Sequence, residues 1–118
     1  MNEPQALRAF AALAQETRLR VLRSLVQAGP AGVVAGALAT QMGVSASNIS
    51  FHLKELERAD LITARRRGQS IIYAAAFPAL AALLQFLMQD CCDGRPEICA
   101  PALALPCCAP QAKEAADV

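Results

Sequence analysis

Ser45-Ala46-Ser47-Asn48-Ile49-Ser50-Phe51-His52-Leu53-Lys54-Glu55-Leu56 is the stretch on which the fold turns. Ser45 is a helix-capping type, whose hydroxyl accepts an amide that the first turn would leave unpaired. Ile49, Leu53 and Leu56 recur at i, i+4 and i+7, the period of one buried helix face. The pattern predicts a helix over 45–59. Its opposite face carries Ser47, Asn48, Ser50, Phe51, Lys54, Glu55 and Arg58. Immediately upstream, residues 34–42 read as a short alanine-rich helix with Leu38 and Met42 inward, ended by Gly43 as a left-handed C-cap. Immediately downstream, residues 61–65 and 70–74 read as two short strands about Gly68-Gln69, with Arg65, Arg66 and Arg67 at or beside the tip.

Short helix, glycine turn, amphipathic helix and basic hairpin are the order of a winged helix-turn-helix, a mainly α fold with a small β-hairpin. A helix of this kind enters a major groove with the small polar residues of its N-terminal part at the base edges. A cationic hairpin adds affinity for the phosphate backbone without reading sequence. Double-stranded DNA is therefore the expected partner, reached by Ser45, Ser47, Asn48, Ser50, Phe51, His52, Lys54, Arg65, Arg66 and Arg67. Two of these have a second reading. Phe51 either touches a thymine methyl or packs, and His52, beside the core stripe, reads more as a hydrogen-bonded structural histidine than as a base reader.

Further out, residues 5–13 place Ala6, Leu7, Phe10, Ala11 and Leu13 at helical spacing. Thr17 is a cap type for the next helix, where Leu19, Leu22 and Val26 make a stripe widened by Val21 and Leu25; Arg20, Arg23 and Gln27 face out, and Gly29-Pro30 stops it. Pro78 suits the first turn of a last helix running to about Asp90. That helix is apolar nearly all round (Ala79, Leu80, Leu83, Leu84, Phe86, Leu87, Met88), which requires burial. In so small a chain a second subunit is the natural cover.

The 118 residues divide into 1–90, the DNA-binding and dimerisation domain, and 91–118, a cysteine-rich tail interrupted by Pro96, Pro101, Pro106 and Pro110 and so expected to be irregular. Formal net charge is +1, but residues 1–76 are basic and 77–118 acidic, a modest pointer to an anionic partner for the front of the chain. Residues 71–88 hold no charge, yet Pro78, Tyr73 and Gln85 interrupt them, which argues against a membrane span. Glu3 and Pro4 do not make a secretory leader. A cytoplasmic protein is expected, with its thiols reduced. One histidine, no phosphate-cradling glycine loop and no nucleophile–base pair argue against an enzyme.

All five cysteines lie in the tail: Cys91, Cys92, Cys99, Cys107 and Cys108. Adjacent Cα atoms are about 3.8 Å apart, closer than the roughly 4.4–6.8 Å of an unstrained disulfide. Cys91 and Cys92 are thus better suited to hold one soft ion together than to bond each other. Structural zinc wants four ligands at closer spacings, which this pattern fits poorly. A trivalent metalloid, a thiophilic divalent ion (Cd, Pb or Zn) and thiol redox sensing all remain open on the residues alone.

Leu13-Ala14-Gln15-Glu16-Thr17-Arg18-Leu19-Arg20-Val21-Leu22, the 45–56 stretch, Ala59-Asp60-Leu61-Ile62 and Arg65-Arg66-Arg67-Gly68 together resemble the ArsR/SmtB metal-sensing repressors over about residues 13–75. The resemblance implies a homodimer, joined through the first and last helices, that represses an operon and leaves DNA when an inducer binds. Two departures bear on the inducer. Many arsenite-responsive members carry a Cys-Val-Cys ahead of the recognition helix, where this chain has Ala31-Gly32-Val33-Val34-Ala35-Gly36. Zinc and nickel sensors use His and carboxylates on the last helix, whereas the single histidine here is His52. What remains resembles a subgroup that binds As(III), alternatively Sb(III), with a vicinal pair and a third cysteine beyond the last helix. That implies Cys91, Cys92 and Cys99 as ligands, with Cys107 and Cys108 secondary.

Overall fold

Asn2 opens the first helix of the computed structural model, which describes residues 1–88. The ligand set read from Cys91, Cys92, Cys99, Cys107 and Cys108 lies outside the described residues, as does the tail that carries it. Met1–Leu83 form one compact unit. The Asn2 side chain accepts the Gln5 amide at 2.9 Å, and Gln5 Oε1 accepts the Asn2 amide at 2.8 Å, a reciprocal capping box. Helix α1 therefore spans Glu3–Leu13, starting two residues before the apolar periodicity does. Its buried face is Ala6, Ala9 and Ala12, while Leu7 and Phe10 are exposed. Alanines let the backbone of α1 come close to its neighbours, and the bulky residues are left outside.

Helix α2 spans Glu16–Ala28 and is capped by Gln15, not Thr17: the longer amide side chain reaches the Arg18 amide at 2.9 Å. Its core residues are Val21, Leu22 and Leu25, whereas Leu19 and Val26 are exposed. The inward stripe is thus turned from the one that the sequence predicts. A 3-10 turn, Gly29–Ala31, leads into β1, Val33–Val34, a strand that sequence analysis misses. Two residues are too few to show alternation. Gly32 makes the strand's approach feasible. It has φ +78°, and a Cβ there would sit 2.5 Å from the Tyr73 carbonyl oxygen.

Helix α3, Ala35–Met42, buries Leu38 and ends at Gly43 in the left-handed conformation, as expected. Ser45 Oγ then accepts the Asn48 amide at 3.1 Å and starts α4, Ala46–Arg58, with Ile49, Leu53 and Leu56 buried as predicted. Its C-terminus is closed by Asp60 at φ +62°. The Asp60 N–H donates to Glu57 O at 2.9 Å and the Leu61 N–H to Leu56 O at 3.1 Å, a Schellman closure. Leu56 and Leu61 supply its buried apolar contact.

Strands β2, Ile62–Arg67, and β3, Ser70–Ala75, form the hairpin, and Arg67 pairs with Ser70 across Gly68-Gln69. With β1 they make an antiparallel sheet in the order β1-β3-β2, three strands where the sequence predicts two. Helix α5 spans Phe77–Met88 with Pro78 in its first turn. The uncharged run 71–88 is therefore split between a strand and a helix. Among the described residues no helix is long and apolar enough to cross a membrane. Among the described residues α5 buries Leu83 and exposes Phe77, so these residues do not supply the all-round burial that its composition demands. The fully buried set, Val21, Leu25, Leu38, Ile49, Leu53, Leu56 and Leu61, comes from α2, α3, α4 and the entry to β2. This core is what seats α4.

Candidate nucleic-acid interface

Because Ile49, Leu53 and Leu56 fix the inner side of α4, its outer side is fixed too. Ser47, Ser50, Phe51 and Lys54 are exposed in one i, i+3, i+4, i+7 stripe, and Asn48 is exposed on its flank. Ser45 is exposed, but its hydroxyl is committed to the cap and lies 3.3 Å from Ser47 Oγ. Its first task is to shape the start of the helix. Glu55 and Arg58 pair at 3.0 Å on the surface, an interaction of little energetic weight. Lys54 has no hydrogen bond or ion pair among the described residues.

His52 belongs to the inner side. It is 8% exposed, and its Nδ1 lies 3.2 Å from Arg18 Nη1. Arg18 Nε in turn donates to the Ala12 carbonyl at 2.6 Å. One guanidinium thus ties the end of α1 to the middle of α4. Burial, and then the Arg18 charge, lower the His52 pKa below its ordinary value; Glu55 opposes this weakly. Of the two readings of His52, the geometry agrees with the hydrogen-bonded structural one: it shares the core side with Ile49, Leu53 and Leu56. Arg18, not singled out by the sequence reading except as part of a motif, is the positioning residue behind it. A lone buried-side arginine gives no periodic signal, so nothing in the sequence marks its partner.

The wing arginines divide as well. Arg65 donates to the carbonyls of Pro30 at 3.3 Å and Ala31 at 2.9 Å, fastening β2 to the 3-10 turn. Arg66 and Arg67 are exposed, and their side chains make no hydrogen bond or ion pair among the described residues. Between α3, α4 and the hairpin runs an open groove of about 430 Å³ lined in part by Val34, Gly36, Ser50, Gln69 and Ile71. The whole arrangement is a protruding helix beside a cationic loop, a shape for straddling a duplex rather than enclosing a small substrate. Among the described residues no group of three or more His, Cys, Asp or Glu stands together to hold a metal.

Residues 13–65 match the family model described as a helix-turn-helix domain. Over 90 residues the chain is 38% identical to the HTH-type transcriptional regulator CmtR of Mycobacterium tuberculosis, covering 75% of this chain and 73% of that protein. Its fold is similar to that of an ArsR-like transcriptional regulator from Rhodococcus sp. RHA1 (TM-score 0.67, 30% identity, 82% of this chain and 89% of the other). The chain belongs to the ArsR family of transcriptional regulators. This ArsR-family chain is also similar to the homodimeric winged helix-turn-helix DNA-binding domain of Mb0332 from Mycobacterium bovis (TM-score 0.59, 30% identity, 78% and 85% covered). Curated regulators 39% identical over 75 residues are matched over 64% of their own length, so the chain spans just under two thirds of them.

Proposed function

We propose that this regulator is a metalloid-responsive repressor. A homodimer holds a two-fold operator with one α4 per half-site and releases it when As(III), or Sb(III), is bound by Cys91, Cys92 and Cys99. The observation that carries this reading is the confinement of every thiol to residues 91–108, directly after the last helix, in a chain whose front two thirds is a DNA-reading domain. Soft thiolates select soft ions. Trivalent arsenic is satisfied by three sulfurs, so a vicinal pair and one further cysteine are sufficient, with Cys107 and Cys108 as a reserve pair.

The dimer is supported by the apolar residues left uncovered on α1 and α5, Leu7, Phe10 and Phe77 among them. Gln5 and Arg8 of α1 and Ala79 and Ala82 of α5 line one shallow cavity. Drawing Cys91, Cys92 and Cys99 onto one ion acts on the chain that continues α5, and so on the contact that sets the distance between two α4 helices. Moving such an equilibrium from 1:99 to 99:1 takes about 5.5 kcal/mol of differential affinity, and DNA must weaken metalloid binding by the same factor.

The test is a gel shift on DNA upstream of the protein's own gene, titrated with arsenite, antimonite, cadmium, zinc and peroxide. Arsenite or antimonite releases the reduced protein, and Cys91→Ser binds the DNA as before but stays bound when arsenite is added. Release of Cys91→Ser by arsenite would misplace the site. Release by cadmium or zinc alone, or by peroxide alone, would replace the inducer with a divalent ion or a thiol oxidation.

A further inference from the structure

Phe51 is at odds with its neighbours. It is 58% exposed, the most exposed aromatic among the described residues, and it sits in the outward stripe of α4 between Ser47, Ser50 and Lys54. A phenyl ring in water there contributes little to the fold. Its ring contact is with His52, edge to face, with centroids 5.4 Å apart and planes at 67°. His52 is itself held by Arg18, so the ring projects from a fixed base. Exposed Val34 and Ile71 line the groove that Ser50 also borders, and other large exposed apolar residues lie on α1, α2 and α5.

At about 1.5 Å per residue, Ser47 to Lys54 spans roughly 10 Å, or about three base-pair steps. Hydroxyl groups in that stripe have hydrogen-bonding partners on every base edge, and the ammonium has acceptors on guanine, adenine and thymine. A phenyl ring has none, and the apolar feature of a major-groove floor is the C5-methyl of thymine. We infer that Phe51 is a specificity-determining residue that packs on a thymine 5-methyl group in each half-site, oriented by the Arg18–His52 contact beneath it. The inference rests on the DNA-binding reading above.

The test uses the full, reduced chain. Random duplexes of about 25 base pairs, long enough for two half-sites a helical turn apart, are selected for binding. In the enriched sequence each thymine is replaced singly by deoxyuridine, which removes only the methyl, and affinity is measured by fluorescence anisotropy. At one position or more per half-site, uracil weakens wild-type binding about fourfold, the worth of one methyl taken out of water. Phe51→Ala, at an exposed position, melts like wild type and binds the thymine and uracil duplexes equally. A wild-type ratio near one at every thymine, or a ratio unchanged in Phe51→Ala, overturns the assignment, as does conversion of the dimer to monomer by Phe51→Ala. Enrichment of no duplex at all would overturn the DNA-binding reading itself, an outcome distinct from an enriched duplex that ignores the methyl.

Discussion

Protonating His52 places a cation in a buried site 3.2 Å from an arginine, and the fold resists it. Its folded pKa lies below the ordinary 6.5, so the unfolded chain binds the proton more readily. Stability from this group is intact above 6.5 and falls as pH is lowered from there toward the folded value. Thermal melting over about pH 5–8 is expected to show that decline, and His52→Gln, which leaves a polar group toward Arg18, is expected to flatten it. Equal pH slopes in the two proteins would remove His52 as the source. His52→Ala, which strips Arg18 Nη1 of its acceptor, is expected to cost about 1–3 kcal/mol in chemical denaturation.

The elements show where local chemistry decides and where it does not. Ser45 and Gly43 act as their types predict, because a cap is satisfied within four residues of chain. Gln15 displaces Thr17 as the cap of α2, since which side chain reaches the free amide depends on how the chain leaves α1. Asp60 closes α4 in a left-handed conformation that costs an L-residue roughly 1–2 kcal/mol. Glycine would relieve that at a smaller entropic cost, so Asp60→Gly is expected to raise stability by about 0.5–1 kcal/mol. The measurement is a urea midpoint that rises at constant slope. A midpoint that falls would mean that the aspartate side chain holds the turn in a way its backbone does not show.

At the scale of the molecule, a protomer with Leu7 63% exposed and Phe77 and Leu87 on its surface is incomplete. Leu7 contributes little to the protomer's own core, so Leu7→Glu is expected to leave the monomer folded and dissociate the dimer. Sedimentation would show the change in mass, and operator affinity would fall at least about tenfold, the loss expected when one anchoring contact is removed. A Leu7→Glu protein that sediments as wild type would move the subunit contact away from α1. The same reasoning extends to α5: its composition predicts burial, and a second subunit is the surface proposed to supply it.

By itself the sequence determined the reading helix, its N-cap, its inner stripe and the hairpin, because each is set by residues within one or two turns of one another. It also placed every thiol beyond the last helix. Only the tertiary structure decided that β1 exists, that alanines and not Leu7 or Phe10 make the inner face of α1, that Arg65 fastens the wing while Arg66 and Arg67 stay open, and that His52 turns inward to Arg18. Those pairings join residues some 34 to 40 positions apart along the chain, and no periodicity within a helix or strand carries information over that distance.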